Sequence, residues 1–187
     1  MATIALKAYC VTAGVVVRCI DPSMPTLGVV ADVVFVEIPS GSRNKYEWDD
    51  ELGGIALDRR LFTSMTYPAD YGYLEGTLAS DGDPLDAMVL VGEPTFPGCR
   101  IRVRVVGVFH MADEKGEDEK LICVPLQDPQ WSVVADIHDV PPQLRNEIEH
   151  FFQVYKDLED KKTETRGFGN RAEALAVIEA ARRRAEP

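Results

Sequence analysis

The order of signals along the chain predicts an α+β fold: a small β-barrel with flanking α-helices rather than an open parallel sheet. Runs of β-branched and aromatic residues separated by turn chemistry occupy residues 33–126. Apolar residues at helical spacing appear only after Pro141. There is no internal repeat and no glycine-rich phosphate loop of the nucleotide-binding kinds. With 187 residues, 45% hydrophobic and 27% charged, the chain fits one ordinary domain with a sizeable core.

Residues 1–30 mix Val, Ala, Gly and Cys with Pro22 and Pro25 and read as an N-terminal extension, with strand-like character at 15–19. Residues 31–187 read as the single domain, and a chain starting at Met24 is expected to fold and act normally. Residues 33–38 form a strand in which Glu37 is the only charge, a costly position unless it lies at the strand end or has a partner. Residues 39–44 are turn chemistry. Lys45-Tyr46-Glu47-Trp48 then alternates charge with aromatic, so Lys45 and Glu47 share one face of a half-buried strand. A turn at 50–54 leads into Ile55-Ala56-Leu57 and Asp58-Arg59-Arg60. Residues 65–73 read as a loop dense in Tyr67, Tyr71 and Tyr73, whose hydroxyls stay available at the surface of the fold. Two more strands lie at 101–111 and 121–126, joined by an acidic tip that is either a solvated hairpin end or a second source of ligands. Pro141 and Pro142 open a helix with Leu144, Ile148, Phe151 or Phe152 and Tyr155 on one face. Asn170 caps a last helix whose apolar side is Leu175, Ile178 and Ala181 and which ends in Arg182 to Arg184.

The net charge of −11 and a pI near 4.7 argue against a general nucleic-acid or membrane-surface binder, because polyanions are repelled at long range. Cys10, Cys19, Cys99 and Cys123 show neither a CxxC pair nor zinc spacing and read as half-buried thiols in a reducing, cytoplasmic setting. No apolar run approaches the roughly 20 residues of a membrane helix. His110, His138 and His150 have no nucleophile motif beside them.

The chemistry concentrates at Asp81-Gly82-Asp83-Pro84-Leu85-Asp86, three carboxylates running into apolar Ala87-Met88-Val89. Carboxylates so crowded repel one another, so a cation belongs among them, and oxygen donors select a hard divalent ion such as magnesium. Asp81 and Asp83, two apart in an extended segment, are expected on one side, with Asp86 reaching back once Leu85 has entered the core. The spacing does not fit an EF-hand, since Leu85 stands at a ligand position and Asp86 where the turn glycine belongs. By itself the stretch admits magnesium-assisted phosphoryl chemistry or a structural ion site. Lys45, Arg59, Lys120 and Lys156, set among acids and tyrosines, favour the former, because a small polyanion can be held between metals and cations.

These pieces resemble soluble family I inorganic pyrophosphatases, with wording around residues 94–99 and 109–111 most like actinobacterial members. The resemblance is carried by 37–47 (Glu37-Ile38-Pro39 through Lys45-Tyr46-Glu47), Leu57-Asp58-Arg59, Tyr67-Pro68-Ala69-Asp70-Tyr71-Gly72 and the 81–86 stretch. It continues through Asp113, Gly116-Glu117-Asp118-Glu119-Lys120 and 150–158, in the family's order and spacing. It implies a five-stranded, OB-like barrel, a hexamer, and Mg2+-dependent hydrolysis of pyrophosphate to two phosphates. Asp81, Asp86 and Asp118 would bind the tightest ion, with Asp86 serving a second. Asp113 and Asp118 would hold an ion arriving with substrate, and Glu37 and Glu47 would act through metal-bound water. Asp83 matches the general base; Lys45, Arg59, Tyr71, Lys120, Tyr155 and Lys156 match phosphate-contacting groups, with Tyr67 in the same wall. Residues 1–30 have no counterpart in the compact bacterial enzymes. Residues 161–166 also diverge, with Thr163 where an aromatic is usual, so contacts near Lys162 are not carried over.

The mechanism these readings share is in-line attack on phosphorus by a hydroxide bridging two magnesium ions, with Asp83 taking the proton. Two other readings compete. A magnesium phosphohydrolase acting on a larger ester or polyphosphate would release phosphate from nucleotides as well. A non-catalytic barrel module would be stabilised by metal yet release none, and it would not need the interleaved basic residues.

Overall fold

A computed structural model describes residues 9–12, 15–18, 31–113, 116–159, 161 and 163–186. The chain divides into two units, Met1–Val30 and Ala31–Pro187. Within the first, β1 (Tyr9–Thr12) and β2 (Val15–Arg18) pair as an antiparallel hairpin. The rest of the expected extension, including the Met24 start, lies outside the described residues, as do Cys19 and Lys162.

The second unit is α+β. Five strands pair into a closed ring in the order β10 (Lys120–Pro125), β7 (Asp86–Val89), β6 (Asp70–Leu74), β3 (Asp32–Ile38) and β8 (Arg100–Asp113), and β8 returns to β10. The β10–β7 pairing is parallel; the other four are antiparallel. Two-residue β9 (Gly116–Glu117) and β11 (Glu164–Gly169) extend the sheet along β8. A separate hairpin, β4 (Asn44–Asp49) with β5 (Gly54–Arg60), stands beside it. The late helices are α1 (Pro142–Val154), with proline in its first turn, and α2 (Arg171–Ala185), which Asn170 and Glu173 cap reciprocally.

The alternation of side chains along the strands sorts the core into two clusters. Met88, Leu90, Phe109, Met111, Ile122 and Val124 join Phe151, Phe152 and Tyr155 of the α1 region. Ala87, Val89, Val105, Val108, Leu121 and Cys123 join Ala174, Ile178 and Ala181 of α2. Gly72 is required where β6 crosses β3, because a Cβ there would lie 1.9 Å from the Phe35 carbonyl oxygen.

Local expectations need correction in four places. The tyrosine-rich stretch 65–73 is not loop throughout: residues 70–74 form β6, with Asp70, Gly72 and Leu74 inward. Leu175 is exposed, and Ala174 takes its place on the buried side of α2. Nothing in the sequence marked β11, which completes the sheet beside β8. Cys123 is fully buried rather than half-buried, and burial pushes its thiol up, which makes it a packing residue.

Candidate active site

One cavity of about 330 Å³ opens where the ring, the β4–β5 hairpin and the turn after α1 meet. Its walls are built by elements distant in sequence. Glu37 comes from the end of β3, Lys45 and Glu47 from β4, Arg59 from β5, Tyr71 from β6, and Asp86 from the first position of β7. Asp113 ends β8, Asp118 follows β9, Lys120 starts β10, and Tyr155 and Lys156 follow α1.

The parity of the strands accounts for much of this. Asp86 and Lys120 are paired residues at the mouths of adjacent parallel strands, two positions before Met88 and Ile122. They therefore share the face that, deeper in, is the aromatic cluster. Asp113 stands two residues beyond Met111 on the same face.

The acidic loop is a turn, not the extended segment expected. Gly82 adopts φ +96, a left-handed conformation, and the Asp83 amide donates to Asp81 Oδ1 at 3.2 Å. The Ala79 amide donates to the Asp83 carbonyl at 2.7 Å, and the Leu85 amide to Thr77 Oγ1 at 3.0 Å. Leu85 is buried, as anticipated, and Asp81, Asp83 and Asp86 all reach the cavity wall.

Charge balance within the cavity is local. The buried Lys120 ammonium forms ion pairs with both Asp86 and Asp118. Burial opposes its charge, but the two carboxylates outweigh that and hold its pKa above the ordinary value. Asp118 is raised, chiefly by burial, with Lys120 pulling the other way. The Tyr71 hydroxyl donates to Asp86 Oδ2 at 2.6 Å. Lys156 Nζ lies 3.2 Å from Asp113 Oδ2, and Lys45 pairs with Glu47, the expected shared face. Glu37 accepts the Trp48 amide at 3.0 Å, yet burial still lifts its carboxyl from 4.5 to about 7.

Among the described residues no three His, Cys, Asp or Glu side chains are gathered tightly enough to grip an ion as they stand. The donors nevertheless fit a divalent cation. All are hard oxygens lining one cavity, and burial raises the carboxyls of Asp118 and Glu37 despite the Lys120 ammonium beside Asp118 and the Trp48 amide on Glu37, so added positive charge would favour their ionised forms.

Of the fourteen residues singled out from the sequence, thirteen line the cavity. Tyr67 does not. It is buried behind the wall, its ring 5.4 Å from that of Tyr71 and 4.8 Å from that of Phe151. Sequence reasoning assigned no role to Asp58, which also lines the cavity; Glu117 and Glu119, read only as part of an acidic tip that is a possible second source of ligands, line it too, and Lys161 does so from the divergent segment. Asp58 was hidden by strand parity, which would put it opposite Arg59; the register shift between Lys45 and Tyr46 marks where that alternation breaks.

A family model described as Inorganic pyrophosphatase matches residues 34–186. The chain is 59% identical over 147 residues to the inorganic pyrophosphatase of Streptomyces coelicolor, covering 78% of this chain and 90% of that protein. It is 55% identical over 148 residues to that of Leifsonia xyli, covering 79% and 91%. Among solved structures it resembles the inorganic pyrophosphatase of Thermus thermophilus, with TM-score 0.82 and 44% identity, covering 88% of this chain and 98% of that one. The Helicobacter pylori enzyme gives TM-score 0.81 and 42% identity, covering 84% and 95%.

Proposed function

The chain belongs to the inorganic pyrophosphatase family, and from that premise we propose how its own residues carry out the family's reaction. The family activity, hydrolysis of pyrophosphate to two phosphates, makes this chain a metal-dependent hydrolase of a phosphoanhydride. Magnesium is the ion proposed, held by Asp81, Asp86, Asp118 and Asp113, with Glu37 and Glu47 acting through water. When bound, such ions supply positive charge that lowers the pKa of a water and offsets charge on the phosphates.

Asp83, exposed at the rim of the turn, orients the attacking water and takes its proton at a carboxylate oxygen. Attack on phosphorus is in line with the leaving oxygen. Lys45, Arg59, Lys120 and Lys156 carry the charge that grows on the leaving phosphate. Tyr71 and Tyr155 donate hydrogen bonds as neutral phenols, since burial pushes both hydroxyls well up. Lys120, ion-paired here with Asp86 and Asp118, would be available to phosphate if those carboxylates held a cation instead.

The observation that carries this reading is the meeting, in one cavity of about 330 Å³, of six candidate ligand carboxylates with four cations from separate elements. That volume suits a small polyanion. Orthophosphate release from pyrophosphate with and without magnesium tests the proposal, with ATP as the competing substrate. Magnesium-dependent release from pyrophosphate and little from ATP is expected; equal release from both would turn the reading to a broader phosphohydrolase. A cytoplasmic homohexamer is also proposed, on likeness to bacterial family members; a sedimentation mass of one or two chains would refute the hexamer.

A further inference from the structure

We propose that Glu159 is a positioning residue for catalysis, fixing the Arg59 guanidinium in the orientation that meets substrate. The inference rests on the reading of Arg59 as a phosphate-contacting group. Arg59 lies on β5, in the hairpin that stands apart from the main sheet, and Glu159 lies 100 residues later in the turn after α1. Glu159 Oε2 accepts from Arg59 Nη2 at 3.1 Å, and Oε1 accepts from Nε at 3.3 Å. This is a near-bidentate fork along one edge of the guanidinium. Asp58 takes Nη1 on another edge.

The Glu159 side chain is only 7% exposed, and its backbone is fixed as well. Its amide donates to the Lys156 carbonyl at 2.8 Å, and its carbonyl accepts from the Lys161 amide at 2.7 Å. The same turn therefore presents Lys156 to the cavity on one side and anchors Arg59 on the other. Through this one contact the hairpin wall, with Lys45 and Arg59, is registered against the wall that carries Tyr155 and Lys156.

Electrostatics alone argues against placing a carboxylate there. A buried negative charge beside a cation meant for a polyanion weakens attraction for that polyanion. Burial also opposes the Arg59 charge, an effect outweighed by Glu159 and Asp58 together, but an arginine needs no help to remain protonated. What the carboxylate contributes is direction: a long, flexible side chain held by one edge keeps its remaining donors aimed at the cavity. A misplaced guanidinium binds phosphate nearly as well in the ground state but fails to follow the charge that develops on the leaving group.

Positioning and simple charge balance thus predict opposite kinetic signatures. Steady-state pyrophosphate hydrolysis is measured at saturating magnesium on the wild type, Glu159→Ala, Glu159→Gln, Arg59→Lys and Arg59→Lys/Glu159→Ala. Glu159→Ala is expected to lower kcat by roughly tenfold to a hundredfold with KM unchanged or lowered. Glu159→Gln, which keeps one acceptor and the shape, should recover most of kcat and remains informative if the alanine variant folds poorly. In the Arg59→Lys background the further loss from Glu159→Ala should shrink to less than about twofold, since the partner it orients is gone. Unchanged kcat in Glu159→Ala, a loss that glutamine does not rescue, or an equal loss in both backgrounds would overturn the assignment. Wild-type kinetics in Arg59→Lys would instead remove Arg59 from substrate contact, a separate failure of the reading beneath it.

Discussion

The two faces of the strand ring are made from the same strands, often from neighbouring residues, yet they differ in kind. The face under α2 is aliphatic and small: Val34, Ala87, Val89, Val105 and Leu121 against Ala174, Ile178 and Ala181. The face under α1 is aromatic, with Phe109, Phe151, Phe152 and Tyr155 stacked or edge-on at centroid distances of 5.0 to 5.6 Å. It runs outward into the polar ends of the same strands, Asp86, Lys120 and Asp113. The aliphatic face needs only to be dry and close-packed. The aromatic face must also hold charges at its margin, and rigid rings with two side-chain torsions do this at low entropic cost while Tyr71 and Tyr155 bring hydroxyls to the boundary. Function has been built on one parity of the strands and stability on the other.

The largest expected effects form a pair that would break this division if it were wrong. Asp83→Asn, at an exposed position, should leave the melting temperature unchanged and lower turnover at least roughly a hundredfold, the scale of a lost general base. Ile178→Ala, at a buried position, should cost about 2 to 5 kcal/mol in denaturant unfolding while kcat per folded molecule stays at wild type. A variant of Asp83 with near-normal turnover would remove it from the base role. A loss of kcat in Ile178→Ala matching its loss of stability would show that the two faces are not separable.

A smaller effect sharpens the boundary between them. Asp118→Ala should raise the magnesium concentration for half-maximal activity by at least about tenfold, since a lost carboxylate weakens the ion more than a lost outer partner does. The maximal rate should recover in part at high magnesium. An unchanged titration would mean that the ion is held by the 81–86 turn alone and that the β8–β10 connection contributes only to the fold.

The sequence made one parity legible and obscured the other kind of information. Asp86 could be singled out from the crowding of carboxylates in 81–86 and Lys120 from its place at a strand end among acids, whereas the role of Asp113 came from the resemblance. The caps were legible for the same local reason: Asn170 three before Glu173 is a pattern of backbone donors and their acceptors. Glu159 and Asp58 were not, because what gives them meaning is a contact across 100 residues in one case and a break in strand register in the other. Tyr67 shows the converse error. Its motif surroundings suggested a surface for substrate, but in three dimensions it is buried against Tyr71, and Tyr71 rather than Tyr67 lines the cavity. β11 went unseen because Glu164, Thr165 and Arg166 lack an apolar alternation; its pairing is decided by the exposed edge of β8.

Glu37 lies where the two demands meet, at the end of a core strand and on the cavity wall. Burial lifts its carboxyl from 4.5 to about 7, only partly offset by the Trp48 amide, and Asp86 and Glu47 add to the rise. The folded, metal-free protein therefore binds a proton at Glu37 between pH 4.5 and 7 that the unfolded chain has already released. More protons on the folded state means that stability falls as pH rises through that window, the reverse of an ordinary paired carboxylate. Denaturant unfolding of the metal-free protein across pH 5 to 8 should show this decline, and Glu37→Gln, which cannot ionise, should flatten it. Added magnesium should restore stability more at pH 8 than at pH 5.5, because the ion meets an already ionised carboxylate there and must displace the proton at the lower pH. If the slope survives in Glu37→Gln, the proton sits elsewhere on the cavity wall, and Asp118, also raised by burial, is the next residue to substitute.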